Sequence, residues 1–196
     1  MEDELMPISF LQSDDVVGIA RDLLGCRIQT TFDHQLTEAF ITETEAYKGI
    51  SDMASHAFGG RRTMRTEVMY KSGGHIYVYL CYGIHHLFNI VTGPENTPHA
   101  VLIRGIEPLL GIEIMEMRRK KHYSKGGFSS GPATASQALG IKTKHTGIAL
   151  NQHSIKLLKP KVNDFAIEVS TRIGVEYAKE DALLPYRFNL VLKNHP

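Results

Sequence analysis

The chain has only two cysteines, Cys26 and Cys81, among its 196 residues. They form no CxxC pair and no Cys/His ladder, so neither a disulfide framework nor a structural zinc site is expected. Cys26 lies among apolar residues and reads as a small core residue. Charge of one sign is not in excess either. Lys and Arg number 22 and Asp and Glu 21, a formal net charge of +1. This argues against a protein that coats nucleic acid by bulk charge, but not against a local basic face. No apolar run approaches the roughly 20 residues that cross a bilayer. The acidic start, residues 1–4, has no basic n-region, so no secretory leader is expected. Internal repeats, low-complexity linkers and HExxH-type ligand spacing are also missing, as is a regular βαβ period. Rossmann and TIM-barrel architectures are therefore disfavoured. The expectation is a protein of the cytoplasm, with no membrane partner, no metal and no cofactor.

What is present is an ordinary globular balance, 42% hydrophobic and 22% charged. At this length one compact domain over residues 1–196 is expected. Apolar spacing predicts a helix over 14–24, with Ser13 or Asp14 to cap it and Gly25 to end it. Strands are predicted over 27–31 and 39–47, joined by a turn at Asp33, His34 and Gln35. A short helix capped by Thr63 follows over 63–70. A β-branched and aromatic run predicts a strand over 75–81, with Tyr82 and Gly83 as the turn and a returning strand over 86–92. Residues 93–98 form a loop, and 100–106 a further strand. Helices are predicted over 109–121 and 132–139, the second entered through residues 129–131. Late strands are predicted over 166–170 and 187–192. The sum is a mixed α/β (α+β) domain.

Three segments carry candidate chemistry. On a strand, Glu43, Glu45 and Tyr47 share one side. In isolation such an E-x-E-x-Y pattern reads as a solvated strand face. Arg61, Arg62 and Arg65 follow the Gly59-Gly60 pair, a setting suited to phosphate or equally to a solvated loop. Tyr77 and Tyr79 share a strand face, and Tyr82 occupies a hairpin tip. There an aromatic ring is either a surface residue or a wedge for stacked bases. The basic run 118–122 could touch phosphate, but it also suits a helix C-terminus.

Ordered motifs then make the pattern specific. ITETEAY stands at 41–47, Asp52 with Ala54-Ser55-His56 follows, and Gly60-Arg61 comes next. YVY stands at 77–79, Tyr82-Gly83 and Asn89 after it, and VLIRGIEP at 101–108. SGP at 130–132, QALGI at 137–141 and RIG at 172–174 complete the set. Almost the whole chain resembles the alkyladenine (3-methyladenine) DNA glycosylases, bacterial type. The resemblance implies one domain with a mainly antiparallel sheet, flanking helices and a protruding DNA-inserting hairpin. It also implies a fold like the C-terminal domain of methionyl-tRNA formyltransferase.

The activity implied is base-excision repair by a monofunctional, metal-free, base-flipping N-glycosyl hydrolase. Double-stranded DNA with damaged purines would be the partner, the chain acting as a monomer at the nucleoid. By the resemblance, Glu45 is the base that activates water. Arg104 lies near that water and the flipped nucleotide's phosphate. Tyr47, His56 and Tyr79 line the base pocket. Asn89 opposes the amino group of normal guanine, and Tyr82 replaces the flipped nucleotide in the stack. The arginines at 61, 62 and 65 are expected to meet the DNA backbone. His85-His86 departs from the apolar or aromatic residues expected after the turn. Two other readings stay open: a damage-recognition module with an idle acidic site, and a metal-dependent hydrolase using Glu45, His56, His85 and His86.

Overall fold

The computed structural model describes residues 4–125, 127–129, 131–152, 154–161 and 164–192. The expectations for residues 1–3 and for Ser130 lie outside the described residues. Among the described residues eight strands form one sheet: β1 (Arg27–Phe32), β2 (Gln35–Tyr47), β3 (Ile76–Cys81), β4 (His85–Thr92), β5 (His99–Leu110), β6 (Ile155–Leu158), β7 (Phe165–Ser170) and β8 (Arg187–Leu192). Their order is β3-β4-β5-β2-β1-β6, and every strand pairing is antiparallel. The thirteen-residue β2 changes partner along its length. It pairs with β1 through Phe40 and with β8 from Glu43 to Glu45, while β7 pairs with β8. Among the described residues three α-helices, α1 (Val16–Asp22), α2 (Ile112–Arg119) and α3 (Pro132–Leu139), flank the sheet. No helix among the described residues is long and apolar enough to cross a membrane.

Strand alternation divides the sheet into two faces. Ile76, Val78, Phe88, Ile90, Val101 and Ile103 enter the main core with Ile19 and Leu23 of the α1 region and Ala135 and Leu139 of α3. Phe88 is fully buried, and its truncation to Ala would cost roughly 3–5 kcal/mol. Polar ties fix the helices to this face. Thr44 Oγ1 donates to Ala20 O at 2.7 Å, and Ser136 Oγ accepts from Phe88 N–H at 3.1 Å. The intervening residues turn to the opposite face. Register lines up Tyr77 with Asn89, Asn89 with Leu102, and Leu102 with Glu45. These four form one row across β3, β4, β5 and β2.

Several element boundaries differ from expectation. Helix α1 begins at Val16, because the Asp15 carboxylate accepts Gly18 N–H at 2.9 Å and caps it there. β5 runs on to Leu110, and Gly111 in left-handed geometry (φ 70°) turns the chain into a shorter α2. Residues 63–70 are not one helix. Thr63 and Thr66 bond each other in a turn, and a short 3-10 segment follows from Glu67 to Tyr70. The β1–β2 turn is tighter than expected. Phe32 pairs with Gln35, and Asp33 and His34 both have positive φ, 52° and 61°.

Candidate active site

Glu45 is fully buried, so the solvated-face reading of E-x-E-x-Y fails. Its carboxylate accepts Tyr47 O–H at 2.8 Å and Ile173 N–H at 2.8 Å, with Arg104 Nε at 3.4 Å. Burial pushes its pKa above the usual 4.5, while Arg104, the Ile173 N–H and the Tyr47 hydroxyl pull the other way. An ionised carboxylate offers about four acceptor positions. Tyr47 and Ile173 fill two of them, since Arg104 Nε–H is given to Glu43 and meets Glu45 only as an ion pair, so acceptor capacity is left for a water proton.

Sheet irregularity puts Glu43 into the same network. The β2–β5 register shifts on either side of Glu43, which lies opposite Gly105. Glu43 Oε1 accepts Arg104 Nε at 2.8 Å and Arg187 Nε at 2.6 Å. Gly105 leaves room for this bulge, since an added Cβ would sit 2.6 Å from Thr42 Oγ1 and 2.9 Å from Glu43 Cβ. Arg104, mostly buried, is thus held between two carboxylates.

A cavity of about 220 Å³ lies over the row of alternating strand residues. Tyr47, His56, Tyr77, Tyr79, Asn89 and Arg104 line it, and Ile173 and Tyr82 lie at its walls. This is below the roughly 300–1,000 Å³ of pockets for drug-sized ligands, the scale of a single ring system. His56 and Tyr79 meet edge to face at 4.6 Å, and Tyr77 and Tyr79 are tilted at 5.6 Å. Asn89 cannot swing aside, because its amide nitrogen donates to the carbonyls of Tyr77 and Leu87 at 3.1 and 3.2 Å.

Arg65 fixes the state of His56. A guanidinium only donates, so Arg65 Nη2 donates to His56 Nε2 at 3.4 Å. The proton of the neutral ring therefore lies on Nδ1 and is donated to the Tyr77 hydroxyl oxygen at 2.8 Å. That oxygen also accepts Arg65 Nε–H at 3.2 Å. Burial first, then Arg65 and Arg61, lowers the His56 pKa to about 4. His56 is neutral at pH 7.

The three arginines expected at the DNA backbone have different settings. Arg62 forks onto Glu67 at 2.6 and 2.9 Å, and Arg65 is drawn to the cavity rim. Arg61 is exposed, and its side chain forms no hydrogen bond among the described residues.

Tyr82 stands beside the cavity on the β3–β4 turn, 91% exposed. Ile84 N–H closes this turn onto Cys81 O at 3.2 Å, and both central residues have positive φ, 51° at Tyr82 and 73° at Gly83. Such geometry is usual for glycine and uncommon for tyrosine, a strain of the kind found where a side chain must be aimed. His85 and His86 line a different cavity from His56. Among the described residues, no three His, Cys, Asp or Glu side chains gather within metal-holding reach.

Two residues outside the expected site hold its walls together. Arg172, fully buried at its side chain, forks onto Asp52 at 2.5 and 2.9 Å. Asp52 caps the loop before His56 by accepting Lys48 N–H and Ala54 N–H. Arg172 also lies 4.9 Å from the Tyr47 ring centroid and directly precedes Ile173, the backbone donor to Glu45. Tyr77, too, joins the cavity. Its place on the Tyr79 face was the available signal, whereas nothing local in the sequence pairs Asp52 with Arg172.

Comparison with known proteins gives this arrangement its class. Residues 9–195 match the family model described as Methylpurine-DNA glycosylase (MPG). A Chlamydia pneumoniae protein is 43% identical over 182 residues, covering 92% of each chain. A Chlamydia felis protein is 42% identical over 190 residues, 96% of this chain and 97% of the relative. One from Bacillus cereus strain G9842 is 40% identical over 200 residues, 97% of this chain and 96% of the relative. All three carry the name "Putative 3-methyladenine DNA glycosylase". The chain is a DNA glycosylase, a hydrolase acting on the bond between base and sugar. Within that class it belongs to the methylpurine-DNA glycosylase family.

Proposed function

We propose that this enzyme excises alkylated purines, 3-methyladenine foremost, from double-stranded DNA and leaves an abasic site. The same reading extends to 7-methylguanine, hypoxanthine and ethenoadenine, with the chain working as a monomer at the bacterial nucleoid. The observation that carries it is the buried Glu45 carboxylate, held by the Tyr47 hydroxyl and the Ile173 N–H with Arg104 beside it, directly behind a ring-sized aromatic cavity that Tyr47, Arg104 and Ile173 line.

Cleavage of an N-glycosidic bond builds positive charge on the sugar. In this reading Glu45 takes the water proton at its open acceptor position and stabilises that charge. Arg104 keeps Glu45 ionised and faces the nucleotide's phosphate. The flipped base stacks among Tyr47, Tyr79 and His56, where a cationic alkylated ring gains from electron-rich faces. His56, neutral and tautomerically fixed, offers polar contact to a neutral lesion. Asn89, unable to move, stands against the 2-amino group of guanine. Tyr82 fills the vacated stack, since flipping costs roughly a few kcal/mol that must be offset.

Single-turnover excision by Glu45→Gln tests this directly. Gln keeps the shape and can exchange hydrogen bonds with Ile173 and Tyr47. Excision should fall by about 10²–10⁴, the worth of a general base, with lesion binding retained. Wild-type excision rates in the variant would sink the mechanism. Tight lesion binding by the wild type with no abasic product would favour a recognition module, and loss of excision in EDTA a metal hydrolase.

A further inference from the structure

A second cavity, about 760 Å³, lies on the other flank of the β3–β4 hairpin. Tyr82 belongs to the first cavity, whereas Ile84, His85 and His86 line the second. The turn is therefore a partition between two cavities. The second is distinctly cationic: Arg118, Lys142 and Lys144 face it, with Asp33 as the acidic side chain. Lys142 and Lys144 are exposed, but the segment that carries them is well anchored. His145 Nδ1 accepts Lys142 N–H at 3.0 Å, and His86 Nδ1 accepts Thr143 N–H at 3.2 Å. The His145 ring stacks on Phe32, centroids 4.3 Å apart and planes within 4°. Arg118 is fixed by donation to Ala138 O at 3.1 Å. The lysines are thus presented on a firm floor that joins the hairpin to the β1–β2 turn.

We infer that this cleft holds the phosphate backbone of the undamaged partner strand while the hairpin occupies the duplex. The inference rests on the proposed function. A wedge entering a groove has one strand on each flank. If the lesion strand delivers its base to the Tyr82 side, the partner strand lies on the Ile84–His86 side. Charge complementarity and continuity with the hairpin select a polyanionic strand there. Lysine ends meet phosphates as point charges, so the contact is independent of sequence.

The test is fluorescence anisotropy over a salt series, comparing wild type with Lys142→Ala/Lys144→Ala. The probes are a hypoxanthine-containing duplex and the same lesion strand alone. Both lysines are exposed, so the variant should fold, and its melting curve checks this. On duplex, affinity should fall and the salt slope should shrink by about 1.8, or 0.9 for each lost phosphate contact. On the single lesion strand the variant should match wild type. Charge reversal with Lys142→Glu/Lys144→Glu should deepen the duplex-only defect. Equal loss on the single strand would assign the cleft to the lesion strand and overturn the inference. So would unchanged duplex binding, or displacement of the lysine-dependent binding by micromolar ATP, which would mark a free-nucleotide site. Wild-type excision measured alongside on methylated duplex DNA separates the two readings. Base release without lysine dependence sinks only this inference. Lysine-dependent duplex binding without base release sinks only the glycosylase chemistry.

Discussion

Truncating Asp52 to Ala asks whether one buried ion pair holds both walls of the cavity. The Asp52 and Arg172 side chains are 2% and 0% exposed. Removing the carboxylate strands a buried guanidinium and frees the N–H groups of Lys48 and Ala54. Breaking such a pair from one side costs about 3–5 kcal/mol. Arg172 keeps the carbonyls of Ala46 and Asp181, which sets the cost near the lower end, ~3 kcal/mol. In a domain of this size each kcal/mol shifts Tm by ~2–4 °C, so the variant should melt roughly 6–12 °C below wild type. Catalysis should register the same change. Ile173 N–H lowers the Glu45 pKa, and misplacing it should move the acid limb of excision to still higher pH. Asp52→Ala/Arg172→Met removes both charges and should recover much of the stability, but not the acid limb. Differential scanning fluorimetry and single-turnover rates across pH read both effects. A Tm loss under ~2 °C, less than about 1 kcal/mol, would refute the pair's structural role. An unmoved acid limb would refute its coupling to Glu45.

The remaining predictions concern the residues around that pair. Excision should rise with pH as Glu45 ionises, its acid limb lying above the ordinary carboxylate range because burial raises its pKa; His56→Gln should leave that limb where it is. His56 itself, at about 4 when folded against 6.5 unfolded, contributes stability that is full above pH 6.5 and lost as pH falls through 4, which acid titration of His56→Gln against wild type would reveal. Tyr82→Ala should leave Tm unchanged, since the ring is 91% exposed, yet slow excision from duplex by depleting the flipped state. Gly105→Ala should cost ~1–3 kcal/mol from overpacking at the bulge and slow excision as well, because Glu43 and Arg104 would shift together.

The parts of the fold that could be read from sequence were those with strong local patterns. The aromatic and β-branched run of β3, the Tyr82-Gly83 turn and the α3 helix entered at Pro132 are examples. The short β6 was missed, since Ile155–Leu158 is too brief to show a period. The 3-10 stretch Glu176–Leu183 was missed because a kink at Lys179 (φ 52°) interrupts any helical spacing. At the site, alternation gave the shared side of Glu43, Glu45 and Tyr47, but burial of Glu45 depends on β5 and on the segment at Ile173. Likewise, Asp52 and Arg172 lie 120 residues apart, and no local rule joins them. The partners of the arginines at 62 and 65, Glu67, His56 and Tyr77, were not legible beside them because the turn over 61–66 brings them together only in the fold.

The row from Tyr77 through Asn89 and Leu102 to Glu45 shares its backbone with the helix-facing core, one residue out of step. Site and core are therefore two parities of a single reading frame in space. Adding or deleting one residue within β3, β4 or β5 would exchange the parities beyond that point and turn cavity side chains into the core. Lineages of this enzyme can thus vary in length at the hairpin turns and after β5, while the strand interiors tolerate length changes only where a bulge, such as that at Glu43, restores the phase.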